Sequence, residues 1–561
     1  MTELNISLDT ESGKPLYVQI YEFIRDAIRR GDFGKDEKLP STRALAQFLQ
    51  ISRSTAETAY DQLLSEGYIE ARKNRGYFVC GIENLYDLDG HGRPEALRFM
   101  GHGPAVPRQD GGKAPGKEAA GMSGGQGTGS AADGPDVSGT IDFSPRAVDM
   151  SRFPYDTWKR ISRNTMDGAN SELFSLGEPG GDFSFRATIA RYLQLSRGVR
   201  CRPEQVIIGA GNDYLLMLLC RILGDGRKIG MEYVTYLRAF RLFRTMGYGV
   251  DPIRMDEQGM DAEALRRSGC DLAYVMPAHQ YPTGITMPIA RRMELLSWAS
   301  GKKDRWLIED DYDSEFRYRG RPIPSLQASD RFGRVIYIGT FSKSIAPAIR
   351  VSFLILPMEL LRIYQEKFRF LSSTVSRIDQ SLLNAFIRDG FFERYLNRMR
   401  NVYRGKQEIA RREAEKLTER FSIRGADAGL YLVLEEKDVP GCFTGTGSRR
   451  GGKTPARTGA ACIRREKELA AKAAEAGVTV YPLTENLIGD MTEASHLTEA
   501  SRLTEAAHLT EASQLTETSK LPEGQKTAPM LLLGYAALRP EEIAEGMRRL
   551  EKAWLQDKKK S

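Results

Sequence analysis

From about residue 141 to 437 the chain alternates short apolar runs with segments of helical length. The runs Val206-Ile207-Ile208, Leu272-Ala273-Tyr274-Val275, Trp306-Leu307-Ile308 and Val335-Ile336-Tyr337-Ile338 contain no charged residue. Such runs suit strands covered on both faces, and their alternation with helices builds an α/β domain with a mainly parallel sheet. Residues 101–139 break the pattern with 12 Gly in 39 positions. A stretch like that cannot bury enough apolar surface to offset its ordering entropy, so 81–140 is expected to be a flexible linker between a unit at 1–80 and one at 141–558. Two low-complexity inserts, 438–461 and 485–528, interrupt the second unit. The latter holds five hexapeptide copies over 491–520, from Met491-Thr492-Glu493 to Leu515-Thr516-Glu517. Six residues advance a helix by about 600°, so the copies share no apolar face and read as a solvated excursion.

No run of about 18 apolar residues is present, so no membrane helix is expected. The start, Met1-Thr2-Glu3-Leu4, lacks the basic and apolar segments of a secretory signal. Six scattered Cys without a Cys-x-x-Cys pair, and only five His, signal neither a metal site nor a disulfide framework. A reducing cytoplasm is the expected compartment. The net charge of +7 points weakly to an anionic partner. The first 80 residues carry 11 Lys and Arg against 12 Asp and Glu, so any affinity for nucleic acid rests on where the cations sit.

In the first unit, Leu16, Ile20, Phe23, Ile24, Ala27 and Ile28 follow helical spacing, and Gly31 ends the run. Ser41 caps a short helix with Leu45, Phe48 and Leu49. Ser52 caps a third, whose Ala56, Ala59, Tyr60, Leu63 and Leu64 form one stripe ended by Gly67. Tyr68-Ile69-Glu70 and Tyr77-Phe78-Val79 then flank a basic turn of Arg72, Lys73, Asn74, Arg75 and Gly76. This is the pattern of a helix-turn-helix with a wing. The third helix would enter the major groove with Ser52, Arg53, Ser54 and Thr55 at its start. Ser41, Thr42 and Arg43 would meet phosphate at the second helix. Arg72, Lys73, Arg75 and Gly76 would reach the backbone or minor groove from the wing.

In the second unit a strand runs into Thr340-Phe341-Ser342-Lys343-Ser344. Ligands of open α/β sheets sit beyond the carboxyl ends of strands. A partly buried lysine there has a lowered pKa and can form an imine with an aldehyde. Glu309-Asp310-Asp311-Tyr312 ends another strand, with a carboxylate suited to a pyridine nitrogen and a phenol suited to a ring hydroxyl. Gly209-Ala210-Gly211-Asn212-Asp213 opens a helix and offers free backbone N–H groups to phosphate. Thr340, Ser342 and Arg350 could complete that cup. Together these groups describe a pyridoxal 5′-phosphate (PLP) site.

The stretches Leu39-Pro40-Ser41-Thr42-Arg43, Ser52-Arg53-Ser54-Thr55 and Leu63 to Tyr68 resemble the winged helix of GntR-type regulators. The order of Arg197-Gly198-Val199, the glycine loop, Pro282-Thr283-Gly284, Glu309 to Tyr312 and Ser342-Lys343 resembles fold-type I aminotransferases. With Pro277-Ala278-His279-Gln280-Tyr281-Pro282-Thr283-Gly284 and the run from Asp310 to Tyr318 added, the chain apart from its linker and inserts is similar to the MocR subfamily of GntR regulators. The resemblance implies that Lys343 forms the imine with PLP, that Asp310 partners the pyridine nitrogen with Asp311 as its rival, and that Tyr312 contacts the ring hydroxyl. It makes Tyr236 the ring-stacking residue and Arg238 an anchor for a ligand carboxylate. Two positions depart from the aminotransferase pattern. Tyr281 replaces a usual Asn, leaving His279 or Tyr281 to contact the cofactor hydroxyl, and Leu532 stands where a carboxylate-binding Arg is usual. The resemblance further implies a PLP-dependent transcription regulator that binds an operator as a head-to-tail homodimer, each winged helix against the partner's large domain. PLP itself, an amine or an amino acid would be the effector. A working aminotransferase with an appended winged helix is the alternative.

Overall fold

The computed structural model describes residues 6, 8–9, 13–30, 32–72, 75–80, 139–166, 168–318, 323–425, 427–439, 458–488 and 528–555. The expected linker up to residue 138, the hexapeptide copies and Lys73 lie outside the described residues. Helix Thr458–Glu475 and buried Ile488 extend into the ranges assigned to the two inserts.

The amino-terminal unit forms as its apolar spacing predicts. Helices α1 (Leu16–Arg30), α2 (Thr42–Phe48) and α3 (Arg53–Glu66) are followed by an antiparallel hairpin of β1 (Ile69–Arg72) and β2 (Gly76–Val79). Ser41 Oγ accepts from the Ala44 N–H and Ser52 Oγ from the Thr55 N–H, both at 3.1 Å, so each serine satisfies a free donor at its helix start. Gly67 ends α3 in the left-handed region with φ of 74°. Ile20, Ile24 and Ile28 of α1 and Ala56, Ala59, Tyr60 and Leu63 of α3 are fully buried.

The large sheet has seven strands: β3 (Val206–Gly209), β4 (Lys228–Glu232), β5 (Gly249–Ile253), β6 (Leu272–Val275), β7 (Trp306–Asp311), β8 (Val335–Thr340) and β9 (Ser352–Ile355). Their order across the sheet is β3-β9-β8-β7-β6-β4-β5, and only β9 runs against the rest. Each strand sends alternate residues into opposite cores. Val206, Ile208 and Tyr337 face one core, while Ile207, Ile336, Ile338, Trp306 and Ile308 face the other. Helices α4 (Asn212–Leu223) and α5 (Leu237–Thr245) cover the second face, and α6 (Ile289–Ser300) follows β6.

A four-stranded antiparallel sheet, β10 (Phe421–Arg424), β11 (Tyr431–Glu436), β12 (Tyr481–Pro482) and β13 (Met530–Gly534), builds the smaller subdomain. Helices α7 (Phe391–Ala414), Thr458–Glu475 and Pro540–Leu555 supply the rest of its core with Ala410, Leu469, Met547 and Trp554. An arm at 141–150 threads along it. Phe143 is fully buried there, and the Gly534 N–H donates to the Phe143 carbonyl at 2.8 Å. Cys80, Cys201, Cys220 and Cys270 are free thiols, whereas Cys462 is disulfide-bonded, which its scattered spacing did not announce. Among the described residues no helix is long and apolar enough to cross a membrane.

Glu466 is fully buried and accepts from the N–H groups of Thr484 (2.9 Å) and Met530 (2.8 Å). Burial pushes its pKa up to about 8. The folded state therefore keeps a proton that the unfolded chain has released, and stability falls as pH rises from about 4.3 towards 8. Glu466→Gln should flatten that loss. Gln keeps only one of the two acceptor oxygens, so its Tm starts lower at pH 5. Thermal melts should still show the difference between variant and wild type moving in the variant's favour by at least about 2 °C from pH 5 to pH 8.

Candidate functional site

The carboxyl ends of β3, β7 and β8 converge on a cavity of about 260 Å³. Lys343 enters it from the turn after β8, and its Nζ donates to the carbonyls of Pro145 (3.3 Å) and Arg146 (2.9 Å). Burial pushes the Lys343 pKa down to about 8, against the opposing pull of Asp313. Far more of this amine is therefore neutral near pH 7 than of an ordinary lysine.

Strand alternation separates the two aspartates of β7. Asp310 follows Trp306 and Ile308 onto the face covered by α4 and α5, where it lines the cavity. It accepts from the Tyr274 hydroxyl and from Asn212 Nδ2 at 3.4 Å. Burial pushes its pKa up to about 7. Asp311 points to the other face. There it accepts from Arg197 Nε at 2.7 Å and the Tyr337 hydroxyl at 2.6 Å, in a buried ion pair away from the cavity wall.

Gly211 caps α4 with φ of 92°, and any Cβ there would collide with the Arg350 guanidinium. Arg350 pairs with Asp213 at 3.3 Å, and Asn212, Asp213, Thr340, Ser342 and Arg350 all line the cavity. Thr340 Oγ1 accepts from the Ser342 N–H (3.2 Å) and the Ser352 hydroxyl (2.9 Å). Ser342 Oγ and Asn212 Oδ1 are buried with no hydrogen-bond partner.

Four tyrosines, 236, 281, 312 and 431, form the aromatic wall. The rings of Tyr236 and Tyr281 meet edge to face at 6.3 Å. The Tyr312 hydroxyl lies 3.1 Å from His279 Nδ1, which lies 2.8 Å from Asp313 Oδ2. Of the two expected substitutes for the missing Asn, Tyr281 reaches the wall, whereas His279 is packed behind Tyr312. Arg238 lines the cavity as expected. Arg146, Asp313 and Tyr431 line it too; Asp313 lies in the run from Asp310 to Tyr318 that resembles the family, and no sequence motif marked Arg146 or Tyr431. Leu532 is fully buried among Tyr233, Val234, Tyr431 and Val433.

On the winged helix, Ser41, Arg43, Ser52, Arg53 and Ser54 are exposed and Thr55 is half-buried, all at the starts of α2 and α3. Arg53 bonds Glu57 Oε1 at 2.7 Å across one turn, a pair open to solvent. Two expected contacts look different in three dimensions. Thr42 is buried, because α2 turns it inward beside Leu45 and Ala46. Arg72 ends β1 rather than standing at the wing tip. It is tied to Asp36 and to Glu70 (2.6 Å) and stacks on Phe78, leaving Arg75 and Gly76 as the described tip residues.

The winged helix also touches the large domain. A Cβ at Gly67 would collide with Pro288, which caps α6. Beside it, buried Glu66 accepts from the Tyr21 hydroxyl at 2.8 Å and lies within reach of the Arg292 and Arg317 charges.

Residues 16–79 match the family of bacterial regulatory proteins named gntR, and residues 149–513 match aminotransferase class I and II. The chain is 37% identical to the HTH-type transcriptional regulator YdeL of Bacillus subtilis, over 86% of this chain and 91% of that protein. It is 33% identical to the probable rhizopine catabolism regulatory protein MocR of Rhizobium meliloti, over 76% and 83%. The chain belongs to the MocR subfamily of GntR-type regulators. At 29% identity, over 77% of this chain and 86% of the relative, it is also similar to the pyridoxine biosynthesis regulator PdxR of Corynebacterium glutamicum. The aminotransferase fold of this MocR-type regulator is matched by kynurenine aminotransferase of Pyrococcus horikoshii. The TM-score is 0.57 at 21% identity, covering 76% of this chain and 93% of that one.

The desolvated Lys343 of this MocR-type regulator gives a direct test. Competitive acetylation read by mass spectrometry should place its titration midpoint near pH 8, with exposed lysines near about 10.4. A Lys343 midpoint above about 10 would contradict the buried environment described.

Proposed function

We propose that this regulator binds PLP in the cavity around Lys343 and that PLP, alone or with an amine or amino acid, sets its grip on operator DNA in the cytoplasm. The observation that carries the reading is the convergence on one cavity of a lysine poised near neutrality, a buried carboxylate, a phenol and an anion cradle. The residues fit the cofactor. Ser342 Oγ is buried without a partner and can donate to a phosphate oxygen, and the Arg350 guanidinium occupies the space a Cβ on Gly211 would take, beside a helix start. Bound there, PLP supplies an electrophilic aldehyde on an electron-withdrawing ring. Lys343 presents a neutral amine to that aldehyde. Asp310 would hold a proton at the ring-nitrogen end, Tyr312 would meet the ring hydroxyl, and Tyr236 would stack on the ring. Arg350, Thr340, Ser342 and the Gly211–Asp213 turn hold the phosphate.

The site is built for sensing more than for turnover. Leu532 leaves the wall of the small subdomain apolar where an aminotransferase-like clamp would sit. A route to the DNA-reading unit is short. Residues 277–288 leave β6, place Tyr281 on the cavity wall and end at Pro288 against Gly67. Arg292 clasps that loop by donating to the carbonyls of Pro277 (2.8 Å) and Met287 (2.8 Å), beside buried Glu66. A shift of Tyr281 on ligand binding therefore bears on the end of α3. A tenfold change in the DNA-bound population needs about 1.4 kcal/mol of differential ligand affinity. Two copies would read two half-sites, and Arg43, Arg53 and Arg75 would make the binding steeply salt-dependent. Similarity to a regulator of pyridoxine biosynthesis supports PLP itself as one effector.

The test is spectroscopic. Full-length protein mixed with PLP should gain an absorbance band near the edge of the visible that resists dialysis, and Lys343→Ala should lose it. A wild-type spectrum unchanged by PLP would refute the reading. Gly67→Ala forces a side chain into a left-handed position against Pro288, a strain of about 1–2 kcal/mol. It should keep PLP uptake yet cut the effect of PLP on DNA affinity by about tenfold in fluorescence anisotropy titrations.

A further inference from the structure

His279 and Asp313 form a buried pair behind the aromatic wall. His279 lies in the loop after β6 and Asp313 two residues past β7, so the pair joins the ends of neighbouring strands. Both side chains are almost fully enclosed. His279 Nδ1 lies 2.8 Å from Asp313 Oδ2 and 3.1 Å from the Tyr312 hydroxyl. The Asp313 carboxylate has no other hydrogen-bond partner among the described residues. The imidazole is tightly held. A Cβ on Gly429 would collide with it, and the rings of Tyr431 and Tyr312 lie close, with centroids 5.1 and 6.1 Å away.

These contacts fix where the protons go. A carboxylate only accepts, so Nδ1 carries a proton and donates it to Asp313. His279 Nε2 is buried with no partner, and a proton there would be a buried donor without an acceptor. A protonated Nδ1 has no lone pair in the ring plane, so it cannot accept from Tyr312. Tyr431 is the weaker outlet: its hydroxyl is 3.4 Å from that of Tyr312 and donates to the Gln280 carbonyl at 3.3 Å. The Tyr312 proton is therefore left to point into the cavity that Tyr312 lines. Burial, with Asp313 and Tyr431 beside it, pushes the Tyr312 pKa well above the usual phenol range, so the proton stays on.

We infer that His279 and Asp313 are positioning residues that fix the Tyr312 hydroxyl as a donor aimed at the ring hydroxyl of the cofactor. The inference rests on the proposed PLP site and adds the pair that orients one of its contacts. A donor on the ring oxygen favours that oxygen's charged form, which lowers the pH at which the bound chromophore loses its proton. Asp310, Asp313, Lys343, Arg146, Arg238 and Arg350 also face the cavity, so the test leaves all six in place and varies only His279 and Tyr312.

The test has two parts. In PLP-free full-length protein, nitrogen NMR of isotope-labelled histidine should show the His279 ring with a proton on Nδ1, the signal being assigned by its absence in His279→Asn. A proton on Nε2 alone overturns the inference. This part stands whether or not an apolar residue at 279 folds. In PLP-loaded full-length protein, the pH midpoint of the band near the edge of the visible is then compared among variants. His279→Leu should raise that midpoint by at least about 0.5 pH unit, in the same direction as Tyr312→Phe. The double variant should match Tyr312→Phe, because His279 acts through that hydroxyl. His279→Asn, whose amide can donate from near the Nδ1 position, should recover most of the wild-type value. A His279→Leu midpoint equal to wild type, or shifts that add in the double variant, overturns the inference while leaving the PLP site standing. Failure of wild type to take up PLP overturns both.

Discussion

The site depends on removing charge from water at the carboxyl ends of the parallel strands. Burial drives Lys343 down to about 8 and Asp310 up to about 7, so an amine and a carboxyl group that would differ by more than six pKa units in water come close together near neutrality. Neither is neutralised by a close ion pair. Lys343 is held by backbone carbonyls, and Asp310 by a phenol and an amide. Coverage of both sheet faces limits the water that reaches these groups, Asp310 being buried and Lys343 half-buried. Asp311, one residue away, shows the other solution: on the opposite face it stays paired with Arg197 and serves the core.

The same frame joins the cavity to the winged helix. The loop after β6 is clasped at both ends by Arg292, which ties its two ends together. One end carries Tyr281 at the cavity and the other carries Pro288 at Gly67. A winged helix hung only on a glycine-rich linker would have no means of sensing the cavity. Contact through a glycine with no Cβ, beside a buried glutamate, gives it one.

Much of this was legible in the chain. Helical spacing and serine caps placed α1, α2 and α3 within a residue, and apolar runs placed β3, β6, β7 and β8. Composition and motif order pointed to the cavity because its core residues, Lys343, Asp310, Tyr312 and Gly211, lie at strand ends, where the rule about ligand position applies. What escaped was tertiary. Arg146 sits almost 200 residues before the lysine its carbonyl contacts, and nothing local marks it. Tyr431 reaches the cavity only because the small subdomain folds against the strand ends, whereas Asp313 follows β7 by two residues. His279 was placed at the cofactor on its sequence neighbours, yet its pairing with Asp313 draws it behind Tyr312. Thr42 and Arg72 have the right chemistry for DNA, but one faces the helix core and the other is spent on Asp36 and Glu70.

The central claim is that the chemical state of Lys343 is read out at the DNA. The most direct measurement is the affinity of the full-length protein for a DNA site selected from a random pool, followed at fixed salt while PLP is titrated, for wild type and Lys343→Ala. The account predicts a wild-type affinity that shifts as PLP saturates the site and a Lys343→Ala affinity that does not respond. An identical response in both proteins, or a wild-type affinity that ignores bound PLP, would contradict it.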